Sequence, residues 1–281
     1  MLKSILVPTD FSVESSQVIR FASGMATLGT KRAVMAHVVE TSGMEGPVIA
    51  RAVDKALEQL REMSQPLRDV GIDVEARVAT GDPSLQIVSL VAENNVAALV
   101  CGTHGKNAIA KMFSGSVSED LATSGEVPTM LARYDLMRNS GDSAELSHHF
   151  GRTLVLPTDF SSSSLRALLA LAELPKSAIG TVFLLHVLDP ALDEGKRAKA
   201  EAGADFELKN LSAMLAEKGI SAKCVIRSGD PKREVLRELD ERRATGVITG
   251  TRGRTGLQQA VLGSVSMTLM RQASCPVVIV P

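Results

Sequence analysis

The chain spells one short pattern twice. Gly102-Thr103-His104-Gly105, closed downstream by Gly115-Ser116, returns as Gly250-Thr251-Arg252-Gly253, closed by Gly263-Ser264. Both copies read G-x2-G-x9-G-S, follow a short apolar run (Ala97 to Cys101, Val247 to Thr249) and precede a helical pattern. A repeat of this period in 281 residues means two domains built alike, each large enough to bury its own core. A glycine-rich turn between a strand and a helix start is a phosphate cradle. Glycine lets backbone amides approach an anion, and the helix N-terminus adds unpaired donors and the positive end of a dipole.

Further motifs repeat in the same order. Pro8-Thr9-Asp10-Phe11-Ser12 returns as Pro157-Thr158-Asp159-Phe160-Ser161, His37-Val38 as His186-Val187, and Gly81-Asp82-Pro83 as Gly229-Asp230-Pro231. Ile5 to Val7 is a buried-type strand, followed by a helix that Ser12 caps, and Ala33 to Val39 is a second strand. Val48 to Val70 reads as one long amphipathic helix that Gly71 ends. Ile72 to Ala79 alternates, as an edge strand does. Asp82 and Asp230 are N-caps followed by Pro at the first helical position. The last strands are Thr129 to Arg133 and Val277 to Val280.

Strands alternating with helices give an α/β chain of two Rossmann-like domains. Each is a five-stranded parallel sheet in the order 3-2-1-4-5 with helices on both faces. Residues 1–137 form the first domain, the polar and aperiodic stretch 138–151 the linker, and residues 152–281 the second domain. In that strand order the connections from strands 1 and 4 leave in opposite directions, which opens a crevice at their carboxyl ends. The Pro-Thr-Asp-Phe-Ser and Gly-Thr-x-Gly motifs follow those two strands, so both fall at the expected ligand site.

On these motifs the chain resembles the tandem universal stress proteins, whose ATP-binding signature G-x2-G-x9-G-[S/T] is unbroken in both halves. The resemblance implies adenine-nucleotide binding, ATP or AMP with Mg²⁺ accompanying ATP, domain pairing through the fifth strands, and a role in stress survival or signalling. It places Asp10 and Asp159 at the adenosine, with Pro8, Thr9, Pro157 and Thr158 beside them, and the backbone of Val38 and Val187 at the adenine. Gly102, Gly105, Gly115 and Ser116 would hold ribose and phosphates in the first half, and Gly250, Gly253, Gly263 and Ser264 in the second. Val117, Ser118, Val265 and Ser266 line the helix starts. His104 against Arg252 is the departure inside the motif, so the two sites are not expected to be equal.

Other readings attach to the same residues. Asp10 and Asp159 also suit turns that bond their own backbone, and Ser116 and Ser264 suit helix caps, Ser116 with Glu119 in a capping box. His37 and His186 read as satisfied structural histidines, and His148 and His149 as solvated. Lys106 and Arg254 read equally well as phosphate contacts and as solvent-facing cations. Cys101, Cys224 and Cys275 show neither metal spacing nor a disulfide framework and read as buried small hydrophobes.

A net charge of −1 gives no bulk attraction for a polyanion such as nucleic acid, and a local basic patch is a separate matter that composition does not address. No stretch has the length of a membrane span, and the first apolar run is too short for a signal segment, which makes the cytoplasm the default. The Walker pattern, kinase signatures and the dinucleotide G-x-G-x-x-G are all absent. Backbone donors bind ground and transition states alike, so a cradle gives affinity rather than rate. A nucleotide-binding regulatory module is therefore the leading reading, with slow ATP turnover at most. The alternatives are a slow ATP hydrolase or nucleotide-transfer enzyme, and a dimerisation scaffold with incidental nucleotide. Pairing the two apolar last strands within the chain would hide their edges. Association of two chains into a homodimer stays open.

Overall fold

The computed structural model describes residues 1–103, 127–251 and 262–281, and it divides into two compact units, Met1–His148 and His149–Pro281. The first runs β1 (Ser4–Pro8), α1 (Val13–Gly24), β2 (Arg32–Val39), α2 (Gly46–Met63), α3 (Gln65–Asp69), β3 (Asp73–Thr80), α4 (Pro83–Glu93), β4 (Ala98–Thr103), β5 (Thr129–Arg133), α5 (Tyr134–Asn139) and α6 (Ser143–His148). Its strand order is β3-β2-β1-β4-β5, paired in parallel. The second runs β6 (Thr153–Pro157), α7 (Ser162–Ala172), β7 (Thr181–Leu188), α8 (Glu194–Glu217), β8 (Ala222–Ser228), α9 (Pro231–Glu241), β9 (Gly246–Gly250), α10 (Ser264–Gln272) and β10 (Val277–Val280). Its order, β8-β7-β6-β9-β10, is the same topology and again parallel.

Burial follows from that order. A parallel strand covered on both faces must be apolar throughout. Ile5, Leu6 and Val7 of β1, and Leu154, Val155 and Leu156 of β6, are fully buried. β3 and β8 each form one edge of their unit's sheet and alternate or stay half-exposed, as their composition requires. Among the described helices, none is long and apolar enough to cross a membrane.

Two local features differ from the expectation. The stretch from Val48 to Val70 is broken: α2 stops at Met63, and α3 starts with Pro66 in its first turn. Proline has no amide to continue the ladder and crowds the preceding turn. Gly71 follows with φ of 81°, the left-handed stop the sequence suggests. The second lies in the stretch 138–151, where the sequence shows no periodicity and the structure carries the end of α5 and all of α6. Six-residue helices are too short to reveal a periodicity.

α6 seats on α1 within the first unit. The Ser147 hydroxyl donates to the Phe21 carbonyl, and a Cβ at Gly24 would lie 2.9 Å from the Ala144 carbonyl carbon. Gly24→Ala is therefore expected to lift α6 from α1 at a cost of about 1–3 kcal/mol, the usual range for overpacking. Limited proteolysis should then cut within 138–151 faster than in the wild type, with the rest of the first unit intact.

Candidate functional site

The carboxyl ends of β1 and β4, and of β6 and β9, are where the chain reverses its winding in each unit. The turn after β1 is organised by its own side chains. Thr9 is buried; its hydroxyl donates to Ser15 Oγ at 2.8 Å and accepts the Phe11 amide at 3.0 Å. Asp10 Oδ1 accepts the Ser12 amide at 3.0 Å and the Ser12 hydroxyl at 2.6 Å. Ser12 Oγ in turn caps α1 by accepting the Ser15 amide. Desolvation works against the Asp10 charge, but the Ser12 and Ser15 hydrogen bonds outweigh it and hold the carboxyl below its ordinary value. The exposed Asp10 side chain is thus an anion fixed at the rim of the crevice.

The second unit repeats this geometry. Thr158 Oγ1 donates to Ser164 Oγ at 3.0 Å and accepts the Phe160 amide at 3.0 Å. Asp159 Oδ1 accepts the Ser161 amide at 3.1 Å, and Ser161 caps α7. Asp10 and Asp159 therefore do form the side-chain turns expected of Asx residues. Thr9 and Thr158 turn their hydroxyls inward, so their side chains organise the loop, and Pro8 and Pro157 close the strands.

The backbone of β2 supplies the next piece. The Ala36 carbonyl accepts the Thr9 amide at 2.8 Å, which is the last bond toward β1, while the Val39 carbonyl faces β3 and accepts from Gly81. Strand alternation then turns the amide and carbonyl of Val38 to the side of Ala36, past the end of β1. β7 does the same. The Leu185 carbonyl accepts the Thr158 amide, the Leu188 carbonyl accepts from Gly229, and Val187 faces the opening. His37 and His186 sit immediately before these valines, each with Nδ1 at 2.8 Å from the carbonyl of Thr9 or Thr158. They are satisfied histidines, as expected.

Gly102 and Gly250 end β4 and β9, and the space over them is filled differently. A Cβ at Gly102 would lie 2.5 Å from Tyr134 Oη. Burial raises the Tyr134 phenol well above its usual value, with Cys101, Asp10 and Glu14 adding to the effect, so the ring reaches the neighbourhood of the Asp10 turn. A Cβ at Gly250 would instead lie 2.7 Å from the backbone carbonyl of Ser163 in the first turn of α7. Sequence reasoning missed Tyr134, because a tyrosine that opens the helix after β5 carries no local sign of where it packs.

The start of α10 corrects one expectation. Gly263, not Ser264, is its N-cap, and no side chain caps it. The cause is a helix that begins one residue earlier than a serine cap allows. Ser264 is exposed in the first turn, whereas Ser266 is buried and donates to the Gly250 carbonyl at 2.7 Å. Val265 lies between them, half-buried. Side chains of Ser12, Asp82, Ser161, Asp193 and Asp230 cap α1, α4, α7, α8 and α9, whereas α10, like α2, α3 and α5, starts without a side-chain cap. His104, Gly105, Lys106, Gly115, Ser116, Val117, Ser118, Glu119, Arg252, Gly253 and Arg254 lie outside the described residues.

The cysteines take no part. Burial pushes the Cys101 thiol up to about 12 and Cys275 higher still, which keeps both protonated and inert. Cys224, expected to be buried, is exposed because it lies on the edge strand β8.

Comparison with known proteins gives one answer in both halves. The model of the universal stress protein family matches residues 1–133 and again residues 151–281. A universal stress protein of Methanocaldococcus jannaschii is 29% identical over 139 residues, covering 46% of this chain and 81% of its own length. Another, of Mycolicibacterium smegmatis, is 24% identical over 298 residues, covering 98% of this chain and 96% of its own. The crystal structure of a universal stress protein from Archaeoglobus fulgidus is similar in fold, with a TM-score of 0.79 at 24% identity, covering 100% of this chain and 98% of that one. The chain belongs to the universal stress protein family and carries the family's domain twice.

Proposed function

We propose that each unit binds one adenine nucleotide, ATP or AMP, and that the protein acts as a nucleotide-responsive module in stress response or regulation. The observation that carries this reading is the convergence, in both units, of three kinds of group on one crevice. A carboxylate (Asp10, Asp159) stands at its rim. Strand backbone facing past its neighbour's end (Val38, Val187) offers the donor and acceptor that an adenine edge needs. A glycine (Gly102, Gly250) opens the G-x2-G-x9-G-S motif on the other side. In the second unit the uncapped start of α10 at Gly263, with Ser264 and Val265 in its first turn, suits a phosphate. The motif residues His104, Gly105, Gly115 to Ser118, Arg252 and Gly253 complete each cradle in this reading, and Mg²⁺ accompanies ATP.

Binding rather than catalysis is favoured by the donor set. Rapid phosphoryl transfer requires a positioned nucleophile or base beside the transferring group. The carboxylates of Asp10 and Asp159 are instead held by their own turns. ATP turnover is accordingly slow in this proposal. We also propose domains at residues 1–137 and 152–281, β5 and β10 as the edges through which the domains pair, and the cytoplasm as the compartment.

Heat denaturation of the purified protein, with chromatography of the supernatant, tests the reading. Up to two adenine nucleotides per chain are expected after saturation with ATP and removal of excess. No bound nucleotide at millimolar ATP would overturn it. Hydrolysis at many turnovers per second, lost in the Asp10→Ala/Asp159→Ala double variant, would replace the binding reading with the enzymatic one.

A further inference from the structure

We infer that Phe11 with His37, and Phe160 with His186, are positioning residues of the two nucleotide sites. Each ring pair fixes the aspartate-bearing turn against the strand whose backbone faces the crevice. The inference rests on the nucleotide-binding reading and adds residues to it.

Phe11 and Phe160 both have φ of 63°. That left-handed conformation crowds Cβ, and for a bulky side chain it is a true outlier held only by its surroundings. Glycine or asparagine is the usual occupant of such a turn. A phenylalanine there twice over points to a task for the ring.

The ring's contacts show what the task is. Phe11 packs tilted against His37 with ring centroids 4.2 Å apart and planes at 32°, and Phe160 stacks on His186 at 4.5 Å and 28°. A carbonyl oxygen only accepts, so the 2.8 Å contact from His37 Nδ1 to the Thr9 carbonyl places the hydrogen on Nδ1, and His186 matches it with Thr158. Thr9 Oγ1 then accepts the Phe11 amide, and Thr158 Oγ1 the Phe160 amide, both at 3.0 Å. The chain of contacts closes on itself: threonine carbonyl, imidazole, phenyl ring, phenylalanine amide, threonine hydroxyl.

This closed brace ties two strands together at one place. On one side it holds the residue after Asp10 or Asp159. On the other it holds the residue before Val38 or Val187. An adenosine between carboxylate and strand backbone would read the distance that the brace sets. Without the ring, the turn would keep its Asx hydrogen bonds but lose its fixed separation from the strand.

The test compares two truncations at one position in the full-length protein. Phe11→Ala removes the ring and keeps the strain, whereas Phe11→Gly removes the ring and relieves it. Phe11→Gly is expected to melt above Phe11→Ala. Both are expected to weaken one of two ATP sites by roughly tenfold, equal to about 1.4 kcal/mol, in calorimetric titration. The other site should keep wild-type affinity, and the Phe160 variants should show the mirror pattern. Phe11→Tyr, which retains the stack, should bind as the wild type does. Affinity that recovers along with stability in the glycine variant, or that is unchanged in both truncations, overturns the inference and leaves the binding proposal standing. Wild-type protein that binds no ATP locates the failure in the binding proposal instead.

Discussion

Arg227→Ala is expected to lower the unfolding midpoint of the C-terminal unit sharply, by about 3 kcal/mol in stability, while the N-terminal unit is untouched. The cause is Glu238 on α9, whose side chain is fully buried. Arg227 on β8 donates to Glu238 Oε2 at 2.5 Å and also pairs with Glu241. Arg242 donates to Glu238 Oε1 at 2.7 Å while its guanidinium lies 4.6 Å from the centre of the Phe183 ring. Removing Arg227 leaves a buried carboxylate with one cation where it had two, and an unpaired buried charge costs far more than a lost surface pair. Arg242 keeps the loss near the lower end of the range. Against a total stability of roughly 5–15 kcal/mol for a domain, that is a large fraction.

The same network supplies its own control. By alignment of the Gly-Asp-Pro turns, the first unit carries Ala79 and Leu90 where the second carries Arg227 and Glu238, and Leu90 is buried. Sister folds thus solve one packing position with a charged cluster and with apolar side chains. Arg227→Met combined with Glu238→Leu should recover most of what Arg227→Ala loses, since replacing a buried pair by apolar groups of similar size is often neutral. Urea unfolding of the single and double variants, followed by circular dichroism, gives both numbers. A double variant no more stable than the single one would mean that the network does more than balance charge.

What could be read from the chain alone was whatever is written locally or written twice. Ile5 to Val7 announces a doubly covered strand because no polar residue interrupts it. Asp82-Pro83 and Asp230-Pro231 announce helix starts because the cap and the missing amide are adjacent in sequence, and both are found as caps. The strand order follows from the alternation of strands with helices, and the motifs after strands 1 and 4 then mark the crevice. The sequence points to Ser264 as the cap of α10 where the structure has Gly263, because both are acceptable caps and only the helix start decides. The packing of Phe11 against His37, the ring of Tyr134 over Gly102 and the hold of Arg227 on Glu238 are invisible in the sequence. Each joins residues on different elements, and no spacing rule links a strand position to the helix or turn that will cover it. That His37 and His186 are satisfied is legible from their place at the end of an apolar strand, yet the partner that satisfies them, a threonine carbonyl in the aspartate turn, emerges only from the fold.

Gly250→Ala is expected to be the most damaging of the conservative changes at the crevice, and Gly102→Ala at the matching position far milder. A Cβ at Gly250 would stand 2.7 Å from both the carbonyl carbon and the oxygen of Ser163, which belong to the backbone of α7. Neither a rotamer change nor a local breath relieves that clash. α7 must move off β9, a strand buried along its whole length, or β9 must move out of register with β6 and β10. Overpacking of this kind costs about 3 kcal/mol or more. For a unit of this size that corresponds to a fall of roughly 10 °C in the midpoint. At Gly102 the obstacle is the outer edge of the Tyr134 ring, the far end of a side chain. Rotation of that ring accepts the methyl at about 1 kcal/mol. Differential scanning calorimetry on the two variants should therefore show one strongly shifted transition for Gly250→Ala and a near-wild-type profile for Gly102→Ala. Equal shifts would mean that Tyr134 is as fixed as backbone. Under the binding proposal, Gly250→Ala should also lose its own nucleotide, because the methyl that displaces α7 displaces with it the turn that carries Asp159.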